Sequence, residues 1–454
     1  MKTALPLLQS PPPVAAAVPF EGPSDWHVFA ADGHPHVFVA DGSRVYEIDR
    51  ETAERLEQIA EGEGVSAPRL LHALGIPAVN AVTDDAPAAM PIRTLSLAVA
   101  QKCNLGCTYC YAQEGTFGGD VKAMSRDVAM AAVERLLADA NPGDRVTLVF
   151  LGGEPLLNRP VIREATAYAA EQGRLRGVNV DFSLTTNGTL LREDDGDFFE
   201  RYRFSVTVSL DGIGDTHDQQ RPFKGGRGSF EKILANVRPL LARQRAMQVS
   251  AKVTVTPRNL ELGTTLDALI GLGFHSVGLS PMLASPTGAD QMGGRDLEIL
   301  LQQMIECGRV FERHVVAGQR YPFANVVNAI QEIHKGTHRP YPCGAGAGYL
   351  GVSATGSLSA CHRFVDDPAG AFGDLETGVD QERQGRWLRD RHVHRQEPCR
   401  SCWARYLCGG GCHHEVIHRG RPACEYIRGW LHYTLEAYVR LLAARPDYFG
   451  GTVG

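Results

Sequence analysis

The sequence predicts an α/β fold whose parallel strands form a partial or full barrel of six strand–helix units. Between residues 92 and 335, short and nearly continuous apolar runs alternate with longer amphipathic stretches. Buried parallel strands have this apolar character, and the repeated order of strand and helix favours right-handed crossovers. In such folds the chemistry lies at the carboxyl ends of the strands. We therefore expect the functional residues on the loops that follow them.

The elements of this barrel region follow one another in regular order. The predicted strands are Leu95–Ala100, Val146–Leu151, Val180–Thr185, Phe204–Leu210, Val249–Thr256 and Ser276–Ser280. The main predicted helices are Asp127–Ala140, Arg163–Gln172, Phe230–Leu241 and Leu262–Leu272.

The rest of the chain divides around the barrel, which we assign to residues 91–335. Residues 1–22 are expected to form a disordered leader, because three consecutive prolines interrupt their apolar stretch. Residues 23–90 form a small opening unit and residues 336–430 a region rich in Gly and Cys. We expect that second region to be held by metal clusters rather than by a large core. Residues 431–454 form the C-terminal helix and tail, with the helix at about Trp430–Ala444.

The opening unit shows short strand patterns followed by helical ones. Its predicted elements are the strands His27–Ala30, His36–Ala40 and Val45–Ile48, the helices Arg50–Ile59 and Ala67–Leu74, and a linker over Asp84–Pro91.

Composition and charge exclude several classes of protein. The 454 residues are 43% hydrophobic and 22% charged, as in ordinary globular proteins. A net charge of -6 leaves no basic excess to neutralise phosphates, which argues against a general nucleic-acid binder. No apolar run approaches the roughly 18 residues that span a bilayer. We expect a cytoplasmic protein with neither a membrane nor a nucleic-acid partner.

The first cysteine group directly follows the first barrel strand. Cys103, Cys107 and Cys110 are spaced CxxxCxxC. Three thiolates can hold three irons of a [4Fe–4S] cluster and leave the fourth iron open to another ligand. The alternative is zinc, which prefers four ligands and commonly uses paired CxxC sequences. The triplet, with Tyr109 before its third cysteine, favours iron and sulfur.

This loop resembles the cysteine loop of the radical S-adenosylmethionine (SAM) superfamily. In that family SAM occupies the open iron and is cleaved to a 5′-deoxyadenosyl radical, which abstracts a hydrogen atom. The resemblance implies that Cys103, Cys107 and Cys110 are the catalytic cluster ligands. It extends to three segments that end the next strands, Gly152-Gly153-Glu154-Pro155, Thr185-Thr186-Asn187-Gly188 and Ser209-Leu210-Asp211-Gly212. The implied SAM-binding residues are Tyr109, Gly152, Gly153, Glu154, Asn187, Ser209, Asp211 and Arg221.

Three of these residues have implied roles. Glu154 would accept a charge-assisted bond from the SAM amino group, and Ser209 and Arg221 would hold its carboxylate and ribose. The alternatives are ordinary turns at the ends of strands and, for Arg221, a solvated loop arginine.

The late cysteines resemble the seven-cysteine signature of SPASM domains, which carry two auxiliary clusters. The resemblance assigns Cys399, Cys402, Cys408 and Cys424 to one cluster. It assigns Cys343, Cys361 and Cys412 to the other, whose fourth iron is left for a substrate thiolate, a water or His362. With the first loop this implies three [4Fe–4S] clusters. The alternative is a pair of structural zinc sites.

Three other residues near or outside these motifs are ambiguous. Cys307, the eleventh cysteine, is expected to be a buried small hydrophobe. His413 and His414 follow Cys412, and either tune a cluster potential or are plain polar loop residues.

The opening unit resembles the winged-helix elements with which many enzymes recognise the leaders of ribosomally made peptides. The run Arg44–Asp49 carries this resemblance. Such elements bind a leader as an added strand at a sheet edge. The alternative is a structural cap on the barrel.

These resemblances together imply a radical SAM enzyme that modifies a ribosomally synthesised precursor peptide. The expected product is a carbon–carbon (cyclophane) or thioether crosslink, and the expected partners are the precursor with its leader and an electron donor such as flavodoxin or ferredoxin. The alternatives are a sulfatase-maturing enzyme that makes formylglycine, and a zinc-stabilised binding protein.

Overall fold

A computed structural model describes residues 25–60, 74–76, 81–85 and 90–450. The expected leader over residues 1–22 and most of the predicted helix Ala67–Leu74 lie outside these residues. Within them, the opening unit is a three-stranded antiparallel sheet followed by a helix. Its elements are β1 (Trp26–Ala31), β2 (His34–Val39), β3 (Arg44–Glu47) and α1 (Arg50–Ala60). The three predicted strands and the first predicted helix are confirmed.

The barrel contains the six predicted strands, each within a few residues of its expected bounds. They are β4 (Thr94–Gln101), β6 (Arg145–Gly152), β7 (Asn179–Thr186), β8 (Ser205–Ser209), β9 (Gln248–Val255) and β10 (Val277–Pro281), and a short β5 (Lys122–Ala123) pairs with β4. The six run parallel in the order β10-β9-β8-β7-β6-β4. Within the described residues β10 and β4 do not pair, so the barrel is partial.

Helices cover the outer face of this sheet. They are α2 (Arg126–Ala138), α3 (Arg159–Arg176), α4 (Glu193–Arg201), the short α5 (Asp215–Asp218), α6 (Phe230–Arg243), α7 (Leu262–Gly271), α8 (Gly294–Val316) and α9 (Ala324–His334). Alternate strand residues point outward into one apolar core with these helices, where Phe182 and Phe204 stack at 5.4 Å between ring centroids. Cys307 on α8 is only 2% exposed within this core, which confirms the expectation of a buried small hydrophobe.

The C-terminal region extends the barrel sheet instead of standing apart from it. Its strands are β11 (Tyr349–Val352), β12 (Ser357–Ser359), β13 (Ala371–Asp374) and β14 (Gly378–Val379). Strand β11 pairs in parallel with β4, on the edge opposite β10. Leu350, Phe364 and Leu388 therefore belong to the same apolar core as the barrel. The expectation that this region lacks a share in a large core is wrong.

In the described part of the C-terminal region four α-helices follow, namely α10 (Gln381–Arg391), α11 (Arg405–Cys408), α12 (His413–Arg419) and α13 (Cys424–Ala444). Helix α13 begins six residues before the expected Trp430, because Ile427 in its first turn already packs against the cores. Leu431 and Leu435 on this helix pack with Phe29 and Phe38 of the opening unit. The last helix thus packs against the opening unit. Among the described residues, no helix combines the length and apolarity needed to cross a membrane.

Candidate active site

The first cysteine loop leaves the carboxyl end of β4 and is fixed by backbone hydrogen bonds. Gly106 N–H donates to Pro222 O at 2.8 Å, and Thr108 N–H donates to Gln220 O at 3.1 Å. The thiols of Cys103, Cys107 and Cys110 are partly buried and lie near one another. Burial raises the pKa of Cys107 to about 12. Without a cation the Cys107 thiol therefore stays protonated, whereas metal ions deprotonate coordinating thiols.

A glycine turn lies against this loop. Gly152 adopts a φ of 149°, and a Cβ atom there would overlap the carbonyl oxygen of Ala100. A Cβ on Gly153 would overlap the carbonyl oxygen of Lys102 and come within 2.7 Å of Gly115 Cα. Gly153 N–H donates to Ala100 O at 2.8 Å, and these backbones can approach so closely only because the side chains are missing. The turn thereby fixes where the thiol loop begins.

Glu154, the next residue, is fully buried and accepts three hydrogen bonds. Its Oε1 accepts from Leu156 N–H at 3.0 Å and from Thr186 Oγ1 at 2.8 Å. Its Oε2 accepts from Asn187 N–H at 2.7 Å. Burial raises the pKa of Glu154, and these bonds oppose the shift. The carboxylate thus joins the turn after β6 to the end of β7, and its expected contact with the SAM amino group stays a prediction.

Asn187 directs its side chain at the cysteine loop. Its Nδ2 donates to Asn104 Oδ1 at 2.9 Å and contacts Cys103 Sγ at 3.7 Å. Thr189 donates to Asn187 Oδ1 through its Oγ1 at 2.6 Å and so fixes the orientation of the amide. The structure therefore places Asn187 beside an expected cluster ligand.

Tyr109, Asp211 and Arg221 form one buried network. Arg221 donates to Tyr109 Oη at 2.6 Å, and Tyr109 donates to Asp211 Oδ2. Asp211 Oδ1 also accepts from Thr254 N–H at 2.9 Å. Arg221 is only 8% exposed, so the alternative of a solvated loop arginine is wrong. Burial opposes its charge, but Cys107, Tyr109 and Asp211 together raise the pKa of Arg221 above its ordinary value.

The strand register brings Lys252 beside Ser209 at the upper end of the barrel lumen. Ser209 is half-buried at the end of β8. Lys252 lies on the face of β9 opposite the core residues Ala251 and Val253. Its side chain is exposed to solvent, and partial desolvation by the surrounding protein lowers the pKa of Lys252. The sequence analysis missed this residue, although a charge inside an alternating apolar strand was visible as a signal.

Four of the late cysteines form one group. Burial raises the pKa of Cys399 to about 11, Arg421 opposes the shift, and the thiols of Cys408, Cys424 and Cys402 add to it. These four thiols line one cavity with about 620 Å³ of empty space, including its open mouth. The four are the cysteines that the SPASM resemblance assigns to one cluster.

The other three late cysteines form a second group. Burial raises the pKa of Cys361 to about 12, and the nearby thiols of Cys412 and Cys343 add to that shift. Arg363 approaches Cys412 Sγ at 3.7 Å and pairs with Glu415 at 2.7 Å. Cys412 also lines the cavity of the first group, so the two groups are neighbours.

Aromatic and imidazole side chains lie between the cysteine loop and the second group. His362 Nδ1 and Tyr349 Oη are hydrogen-bonded at 2.6 Å. The ring of Tyr111 is 5.9 Å from that of His362 and packs beneath Arg363 at 5.4 Å. Burial lowers the pKa of His362 to about 4, which keeps its imidazole neutral. His413 accepts from Arg391 Nε at 3.1 Å through its Nδ1 and is buried, unlike a plain polar loop residue.

Comparisons with known proteins agree with this arrangement. Residues 97–257 match the model of the Radical SAM superfamily. The chain is 26% identical over 343 residues to the serine-type anaerobic sulfatase-maturating enzyme of Klebsiella aerogenes, covering 71% of this chain and 80% of that protein. It is 33% identical over 156 residues to the cysteine-type anaerobic sulfatase-maturating enzyme of Clostridium novyi (strain NT), covering 33% of this chain and 41% of that protein.

Among solved structures, native anSMEcpe with bound AdoMet and Cp18Cys peptide has the same fold. The TM-score is 0.61 at 20% identity, over 79% of this chain and 99% of that one.

Proposed function

The chain carries a radical SAM domain, and on that premise we propose that it is an enzyme that modifies a peptide by abstracting a hydrogen atom. The observation that carries the proposal is the convergence of Cys103, Cys107 and Cys110 beside the Gly152–Glu154 turn. Three thiolates provide the ligand chemistry of an iron–sulfur cluster. The two glycines of this turn, where any Cβ would meet the backbone of Ala100 or Lys102, let the turn pack directly against the start of the cysteine loop.

When bound, a [4Fe–4S] cluster and SAM supply a 5′-deoxyadenosyl radical, which takes hydrogen from carbon atoms without useful acidity. The three cysteines of the loop would hold this cluster. Arg221 supports binding of the SAM carboxylate, because its buried Nε has no hydrogen-bond partner among the described residues and its charge is secured by Tyr109 and Asp211. Ser209, which ends β8 beside this network, would meet the ribose.

The two groups of late cysteines support two auxiliary clusters. Cys399, Cys402, Cys408 and Cys424 would give one cluster four thiolates, and the cavity that they line provides the space. Cys343, Cys361 and Cys412 would hold the other. Ligation of this kind serves electron transfer, and an external donor such as flavodoxin or ferredoxin would supply the electron. With all three clusters loaded, the protein should contain about twelve irons per chain.

A precursor peptide with a leader is the substrate that the opening unit supports. Within the described residues β3 pairs only with β2, so its other edge offers backbone groups to an added strand. A leader carrying a photo-crosslinking residue should attach to β3 (Arg44–Glu47) and leave β1 unlabelled. Crosslinks confined to the barrel would favour the alternative of a structural cap.

Lys252 supports a ligand with an anionic group in the barrel lumen. No ion pair or hydrogen bond holds its ammonium group among the described residues, and the side chain is exposed to solvent, so the charge is available to an anionic group of a ligand. The carboxylate of SAM and an acidic side chain of the peptide have the same chemistry here. Lys252→Met keeps the apolar stem and removes the charge. A weaker affinity for SAM would identify the SAM carboxylate as the partner, and a weaker affinity for the peptide would identify an acidic side chain of the peptide.

The finer proposal is that the product is a carbon–carbon (cyclophane) or thioether crosslink. The second candidate is conversion of a Cys or Ser side chain to formylglycine. The similarity to the sulfatase-maturating enzyme of Klebsiella aerogenes over 71% of this chain favours that candidate. The two products differ, since an aldehyde reacts with hydrazide reagents whereas a crosslink does not.

Mass spectrometry of the product tests the proposal. Holoenzyme, SAM and reductant would be incubated with the small peptide encoded beside its gene, and separately with a sulfatase-derived peptide. We expect 5′-deoxyadenosine and a modified precursor, with deuterium labelling to locate the abstracted hydrogen. The variant in which Cys103, Cys107 and Cys110 are all alanine should lose about four irons and release no 5′-deoxyadenosine. Continued release by this variant would contradict the proposal.

A further inference from the structure

Two histidines and one aspartate converge outside the three cysteine groups. His414 and His418 are four residues apart on α12, so their rings share one face of the helix at 4.5 Å between centroids. Asp367 precedes a short turn over residues 368–370 and reaches the same place, where its Oδ2 is 2.8 Å from His418 Nε2. The proposed reaction uses none of these side chains.

The three side chains lie close enough together to bind one metal ion. One ligand atom from each residue lies within 4.8 Å of the other two. Tetrahedral zinc with bonds of roughly 2.0–2.2 Å holds its ligand atoms about 3.3 Å apart. Small side-chain rotations therefore bring the set from its present spacing to that of a coordination shell. Imidazole nitrogen together with carboxylate oxygen suits a divalent first-row transition ion.

A second observation points to a ligand here. The Nδ1 atom of His414 is buried and has no hydrogen-bond partner among the described residues. A buried nitrogen without a partner destabilises the folded protein unless something binds it. Phe364 packs against the ring at 5.0 Å between centroids. Arg363, a nearby cation, is paired with Glu415 at 2.7 Å, which offsets its repulsion of a bound ion.

We propose that Asp367, His414 and His418 bind a divalent transition-metal ion such as Zn²⁺. His418 is exposed, so water fills the remaining position. The ion clamps two segments together, because Asp367 follows Cys361 by six residues and His414 follows Cys412 by two. Those two cysteines belong to the same thiol group. The clamp therefore holds the two halves of that group in register, and it does so whatever reaction the enzyme catalyses.

Metal counting on the intact holoenzyme tests this site. Protein with its iron loaded is dialysed to equilibrium against low-micromolar Zn²⁺, and zinc and iron are counted together. Wild type should retain one more zinc per chain than His418→Ala and Asp367→Asn, at equal iron content. His338→Ala removes another exposed histidine outside the cluster and should match wild type. Equal zinc in wild type and in the two site variants would overturn the proposal.

Thermal unfolding gives an independent readout. Zinc bound only by the folded state raises the midpoint of unfolding. The rise should occur in wild type and His338→Ala and be absent from His418→Ala, a surface change that leaves the fold intact. The same rise in His418→Ala would contradict the site.

Discussion

Replacing Glu154 by glutamine tests whether this buried carboxylate positions the site through the protein backbone. The carboxylate accepts from Leu156 N–H, Thr186 Oγ1 and Asn187 N–H, and it is fully buried. Glutamine keeps a single oxygen. When that oxygen accepts from Leu156 N–H and Thr186 Oγ1, the amide NH₂ faces the Asn187 N–H, which in the wild type donates to Glu154 Oε2 at 2.7 Å. Two donors then meet, and at least one buried N–H loses its acceptor.

The magnitude follows from the kind of bond that is lost. A hydrogen bond to a charged group contributes about 1.5–3 kcal/mol. At 1.36 kcal/mol for each factor of ten, the competent arrangement of Asn187 and the cysteine loop becomes roughly 10- to 150-fold less favoured. We expect 5′-deoxyadenosine formation to fall within that range. The free energy of unfolding of the SAM-free holoenzyme should fall as well, because the lost bond lies within the protein.

The assay measures three quantities for Glu154→Gln, namely unfolding without SAM, the Kd for SAM, and the rate of 5′-deoxyadenosine release. Glu134→Gln is the matched control, since Glu134 also accepts from two side chains but is 42% exposed. It should change each quantity little. A Glu154→Gln protein of unchanged stability with a much higher Kd for SAM would refute the positioning argument. Glu154 would then act by direct contact with the SAM amino group.

Three further predictions concern other side chains. Asn187→Ala removes the amide that contacts Cys103 Sγ at 3.7 Å, so the midpoint potential of the first cluster in an EPR-monitored titration should become more negative. If Lys252 contacts an acidic side chain of the peptide, Lys252→Met should raise the KM for the peptide at least tenfold and leave the Kd for SAM unchanged. If it contacts the SAM carboxylate, the Kd for SAM should rise and the KM for the peptide should stay the same. No change in either quantity would exclude the anion contact. Burial lowers the pKa of His27 to about 3, and His432 adds to the shift. The pKa of His27 is lower in the folded protein than in the unfolded chain, where it is 6.5. The free energy of unfolding is therefore highest above pH 6.5 and falls as the pH falls, because the unfolded chain takes up the proton first. At pH 5.5 the free energy of unfolding should be lower by about 1.4 kcal/mol. Unfolding can be followed by the fluorescence of Trp403, which stacks on His27 at 4.0 Å between ring centroids. The His27→Phe variant should lack this pH-dependent loss.

Local pattern was enough to predict the barrel. Each strand of the parallel sheet is buried on both faces or lines the lumen, so its apolar run is visible in the sequence without knowledge of its partners. The cysteine loop was predictable for a similar reason, because the spacing of Cys103, Cys107 and Cys110 is itself the chemical requirement. Features of the fold whose cause lies within ten residues of chain were therefore predictable, while the ligation of a cluster by the three cysteines stays a prediction.

Features that depend on distant pairing were not predictable. Nothing near Tyr349–Val352 indicates that this strand will pair with β4, some 250 residues earlier in the chain. The burial of Arg221 has the same origin, because its partner Tyr109 lies 112 residues before it. The early start of α13 depends on the cores that Ile427 joins. In each case the local residues fit a loop as well as the structure that forms.

Gln101 shows what the distant pairing achieves for the site. It is fully buried, ends β4 and lies two residues before Cys103. Its Nε2 donates to Asp366 Oδ2 at 2.7 Å, and its Oε1 accepts from Ala354 N–H at 2.8 Å. Both ends of one amide thus bind the C-terminal region just before the cysteine loop begins. Because β11 continues the barrel sheet at this point, the late cysteines are fixed relative to the first loop by the sheet itself, without a flexible linker. A fixed separation of this kind is what electron transfer between the cysteine groups would require.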